Sequence, residues 1–217
     1  MLQKIREPGS AITHFIGVIF SVAAASPLIA RAAQTSAVNA AAMAVFVASM
    51  FLLYSASTTY HSVRLPAAVI KVFRKIDHMM IFILIAGSYT PVCLIVLKGV
   101  IGTAMLCAVW GIAIAGILFK AFWVTCPKWV SSVLYIGMGW TCVFAFVPLW
   151  NLLSAAAFTW LLVGGLLYTV GGVIYALKLR IFNSRHVNFG SHEIFHLFVL
   201  AGSFCHFIFM YVYVANM

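Results

Sequence analysis

The chain has 217 residues, of which 65% are hydrophobic and only 7% charged, with a formal net charge of +10. A soluble domain carries about a quarter charged residues, so this composition excludes a water-facing globule. The positive charges are scattered between apolar runs rather than clustered on one face, which argues against nucleic-acid binding and for loop charge that sets membrane topology.

Met1 to Ser10 is short and polar and shows no signal-peptide cleavage pattern, so Ser10 onward reads as a retained first helix. A bilayer core needs about 20 apolar residues per helix. Runs of that size occur at 11–30, 40–61, 79–97, 100–118, 130–149, 156–177 and 194–215. Lys98-Gly99 divides the long stretch 79–118. The stretch 130–177 would measure about 70 Å as one helix at about 1.5 Å per residue, so Pro148 and Asn151 are expected to mark a turn. Gly164, Gly165, Gly171 and Gly172 in the sixth span read as a face for close helix packing. The fold class is therefore all-α: a single domain over 1–217, folded as a seven-transmembrane helix bundle.

Five cysteines, Cys93, Cys107, Cys126, Cys142 and Cys205, are odd in number and lack C-x-x-C spacing. A disulfide framework or thiolate metal cluster is not expected. Lysine and arginine set the orientation. With the N-terminus in the cytoplasm, the inner segments hold Lys4, Arg6, Arg64, Lys71, Arg74, Lys75, Lys120, Lys128, Lys178, Arg180 and Arg185, against Arg31 and Lys98 outside. The C-terminus is then expected outside.

Ionisable groups within a span are costly and mark function by default. The alternating topology brings His61, Asp77, His192 and His196 to one depth, at the cytoplasmic ends of the second, third and seventh spans. His192 and His196 stand i, i+4, a spacing that lets two imidazoles reach one ion, as in H-E-x-x-H sites. Ser57 and His61 share that spacing, so the serine faces the same interior. Three imidazoles with a fourth position left to water is a catalytic-type zinc arrangement. Asp77 reads either as a ligand or as a hydrogen-bonding partner of the bound water or of a ligating histidine. Asp77 could equally pair with Arg74 or Lys75, and Ser191 and Glu193 could simply cap the last helix. His14 reads as a second layer behind the ligands, His206 as a deeper hydrogen-bonded bundle histidine, and His78 and His186 as juxtamembrane residues.

The motifs E-P-G-S-A-I-T-H at 7–14, S-T-T-Y-H at 57–61, D-H at 77–78 and H-E-I-F-H at 192–196 resemble the hemolysin III family. That family is the bacterial branch of the progestin and adipoQ receptor superfamily, which includes the adiponectin receptors. The resemblance covers nearly the whole chain and implies seven helices, an inside N-terminus and a location in the bacterial inner membrane. It implies zinc held by His61, His192 and His196, with Asp77 and Ser57 matching the family aspartate and serine. The wider superfamily implies zinc-dependent hydrolysis of a ceramide-type lipid amide, so the expected partner is a membrane lipid. Asp77, or Glu193 in its place, would accept a proton and Ser57 would orient water. The hemolysin name implies cytolysis, and bacterial relatives imply non-enzymatic regulation of membrane lipid and energetic homeostasis. The adiponectin-receptor branch resembles H-Q-x-x-H at the last motif, where this chain carries Glu193.

Overall fold

The computed structural model describes residues 5–177 and 189–217. Lys4, Lys178, Arg180, Arg185 and His186 lie outside them. Among the described residues the chain forms seven long helices: α1 Pro8–Ala33, α2 Ala37–Ser62, α3 Ala67–Leu97, α4 Gly99–Phe122, α5 Lys128–Leu152, α6 Ala155–Leu177 and α7 Ser191–Val214. Each is long and apolar enough to cross a bilayer. The chain is a multi-pass membrane protein.

Local chemistry explains the boundaries. α1 opens on Pro8, whose missing N–H is no loss in a first turn. Ser36 caps α2, its Oγ accepting from Asn39 N at 3.0 Å. The reversal between α3 and α4 places Lys98 and Gly99 at positive φ, 48° and 53°, which glycine tolerates freely and lysine only under strain. Gly102 then lies against the Cys93 carbonyl, where no side chain would fit.

Two differences from the sequence reading bear on function. α3 begins at Ala67, not near residue 79, because Lys71, Arg74 and Lys75 are good helix formers that interrupt the apolar run without interrupting the helix. Asp77 and His78 therefore sit well inside α3 and are buried, rather than at its mouth. Pro148 and Asn151 do not end a helix. α5 tightens into a 3₁₀ segment over Trp140–Ala145 and continues past Pro148, and the chain reverses at Leu153 and Ser154.

Consecutive helices pack on one another, and α1 packs on α7 to close the bundle. α2 and α3 are the most enclosed, and α2 holds Phe46, Met50 and Tyr54 wholly buried. The α6 glycines divide by role. Gly164 and Gly171 let α7 approach through His206 and Phe198, and Gly172 meets Ile136 of α5. Gly165 faces open space instead.

Candidate metal centre

The last turn of α2 carries His61, and the first two turns of α7 carry His192 and His196. One ring nitrogen from each lies within 4.8 Å of the other two. His61 and His192 approach through their Nε2 atoms at 3.3 Å. Two imidazole nitrogens on a single tetrahedral first-row ion stand about 3.4 Å apart, given metal–nitrogen bonds of about 2.0–2.1 Å.

The protonation pattern supports the same reading. His61 Nδ1 meets the Glu7 carboxylate, which only accepts, so Nδ1 carries the proton and Nε2 keeps its lone pair. His196 Nδ1 lies 3.2 Å from the Ser10 carbonyl and 3.1 Å from Thr13 Oγ1, whose own proton goes to the Gly9 and Ser10 carbonyls. That fixes Nδ1–H on His196 as well and leaves its Nε2 as a lone pair. Histidines so oriented by a carboxylate or a backbone carbonyl are typical of metal sites. A divalent ion would take the lone pairs of His61 and His196 together with a ring nitrogen of His192.

The start of α1 thus supplies the outer layer. Burial pushes the Glu7 carboxyl up, but the hydrogen bond and charge of His61, with Arg6 beside it, bring it down to about 2. Glu7 is therefore a carboxylate across the physiological range. His14 stacks on His196, ring centroids 3.6 Å apart and planes 7° from parallel, with both nitrogens buried and without a hydrogen bond among the described residues. His14 is thus packed directly behind His196.

Glu193 does not face the three imidazoles freely. Its Oε2 accepts from Gly190 N at 2.8 Å, closing the first turn of α7, and its Oε1 accepts from Ser10 Oγ at 2.5 Å. Asp77 and Ser57 lie beside each other without a hydrogen bond of good geometry. His206 sits deeper, its Nε2 3.3 Å from the Leu161 carbonyl. His78 is buried against Tyr135, whose hydroxyl donates to the His78 carbonyl at 3.0 Å.

The histidines stand between two spaces. At the bundle end is a vestibule of about 310 Å³, lined among the described residues by Glu7, Tyr60, His61, Arg74, Asp77, His78, Lys128, Tyr175, His192 and Glu193. Toward the bilayer interior is a cavity of about 180 Å³. His14, Ser57, Asp77, His192 and His196 form its head, and apolar side chains such as Leu84, Val199, Leu149 and Phe158 line its length. Asp77 and His192 border both spaces.

A family model described as "Haemolysin-III related" matches residues 2–207. The chain belongs to the haemolysin III family. It is 42% identical to Hemolysin-3 of Bacillus cereus over 94% of this chain and 90% of that one. It is 41% identical to the Hemolysin-3 homolog of Bacillus subtilis, over 91% and 89%. More distantly, it is 25% identical to the adiponectin receptor protein of Drosophila melanogaster, over 93% of this chain and 49% of the receptor. These relatives agree with the resemblance carried by the motifs.

Glu7, Ser10 and Thr13 were not singled out by spacing, although all three lie inside the E-P-G-S-A-I-T-H motif. Their contacts join residues up to 186 apart in sequence, which no local periodicity reveals.

Proposed function

We propose that this haemolysin III protein holds a zinc ion on His61, His192 and His196 and hydrolyses an amide bond in a membrane lipid of ceramide type. The carrying observation is the position of the three imidazoles, between a polar vestibule that supplies water and an apolar cavity that accepts an acyl chain. An all-imidazole donor set suits zinc and disfavours the oxygen-seeking magnesium and calcium.

Bound zinc would polarise a carbonyl and make water more acidic. The protein's own residues do the rest. Asp77 borders both spaces and is the group placed to accept a proton from attacking water and pass it to the leaving amine. Ser57, beside it, orients that water or the substrate carbonyl. Glu193 is the weaker candidate for the base, since both its oxygens are engaged. Glu7 and the Ser10 carbonyl hold the His61 and His196 rings in the ligating tautomer. The apolar cavity keeps the acyl chain in contact with hydrocarbon-like walls.

The loop-charge asymmetry supports an N-terminus in the cytoplasm of the bacterial inner membrane, with the site at the cytoplasmic face. A receptor-like or homeostatic regulator is the second reading, favoured by the similarity to the adiponectin receptor protein of Drosophila. A cytolytic pore would need polar groups along the whole path, whereas the walls of this cavity are mostly apolar.

The test is turnover of a ceramide-type amide by purified protein. His196→Ala should lose both zinc and turnover. Undiminished turnover by metal-free protein would exclude the mechanism, and zinc without turnover on any lipid amide would favour the regulator.

A further inference from the structure

Lys120 stands on the last turn of α4 and is 0% exposed. A lysine that only sets topology extends its ammonium into water. Here Nζ turns inward, donating to Ser131 Oγ at 2.6 Å and to Cys126 Sγ at 3.1 Å. Sγ and Oγ are 3.4 Å apart, so the three groups close a triangle across the α4–α5 corner. Cys126 is itself buried, and the Tyr135 and Phe119 rings lie 5.8 Å from Nζ. Among the described residues no carboxylate pairs with this ammonium. An enclosed charge without an anion is costly, so the corner gains if that charge is removed.

We propose that Lys120 and Cys126 are a redox-sensitive pair, which a peroxide converts into a covalent Nζ–O–Sγ bridge. The chemistry balances with two equivalents of hydrogen peroxide. The first oxidises the thiol to a sulfenic acid and leaves as one water. The ammonium releases a proton, and the amine nitrogen then bonds to the sulfenic oxygen. In that step nitrogen loses two electrons and the second peroxide is reduced, taking up the N–H and O–H protons to leave as two waters. A thiol reductant reverses both steps, returning amine, thiol and one water. Ser131 fixes Nζ beside Sγ, which favours closure over further oxidation of the sulfur. The bridge removes a buried charge next to Tyr135, a residue of the cavity wall, and ties the end of α4 to the start of α5. This site is separate from the three histidines and does not depend on their metal.

The experiment uses full-length Cys107→Ser protein in detergent, so that trypsin can release residues 99–128 with Cys126 as its single thiol. After peroxide, cleavage following Lys120 should be lost. The uncut 99–128 peptide should carry one added oxygen and two fewer hydrogens, and dithiothreitol should restore both the cut and the original mass. In Cys126→Ala protein, cleavage after Lys120 should persist through peroxide. Should Cys107→Ser fold poorly, the unsubstituted chain with Cys107 blocked by maleimide gives the same readout. Continued cleavage after Lys120, with Cys126 unreacted or carrying two or three oxygens, would overturn the proposal.

Discussion

Where α1 and α7 begin, Glu7, Ser10, His61, Asp77, His192 and His196 face one another around enclosed space. At the opposite end, Arg31 lies over the Tyr211 ring, and Thr35 and Asn39 donate to the Ala215 carbonyl at 3.3 and 3.4 Å. Both ends bury polar groups in a largely apolar bundle. The far end resolves them in pairs that fasten α1 and α2 to the C-terminus. The near end leaves Ser57 Oγ, His192 Nδ1 and both His14 nitrogens without hydrogen bonds among the described residues. Polar atoms so left, beside a cavity and three converging imidazoles, mark a site built for something other than stability.

Substitutions that separate the two ends test this contrast. Asp77→Asn should retain zinc, measured by elemental analysis, while kcat falls by about a hundredfold to ten-thousandfold, the worth of a positioned acid or base. Glu7→Gln should leave the fold intact but weaken zinc affinity by about 10- to 100-fold in a chelator competition, since the amide no longer fixes the His61 tautomer. A Cβ at Gly165 would meet nothing within 4 Å and the residue borders the cavity, so Gly165→Leu should direct its side chain into that space. It should raise KM for long-chain amides by about tenfold, the effect of a few displaced methylenes, with Tm unchanged and short-chain amides spared. Asn39→Ala at the far end should cost about 1 kcal/mol of stability and leave zinc and turnover untouched.

The spans and the three histidines are legible in the sequence because each rests on a repeating rule: apolar length for the helices, i, i+4 spacing and alternating topology for the ring nitrogens. What the sequence does not disclose depends on contact. Gly164 and Gly165 look alike as a pair, yet one admits the His206 ring and the other borders a cavity. Lys120 counts as loop charge by position, yet it is wholly buried, because Cys126 of the short α4–α5 connection and Ser131 of the first turn of α5 fold over it. Asp77 seems to lie at a helix mouth, since hydropathy reports where hydrocarbon begins and not where hydrogen-bonded turns begin. Glu193 looks like the base of an H-E-x-x-H site, but Ser10 of a distant helix holds its carboxylate.

Metal content of the purified protein is the most direct measurement. Wild-type protein should contain about one zinc per chain, and His61→Ala, His192→Ala and His196→Ala should each lose it while keeping the helical content of the bundle. Wild-type protein without bound metal, or a triple-histidine variant that binds zinc as the wild type does, would contradict the site.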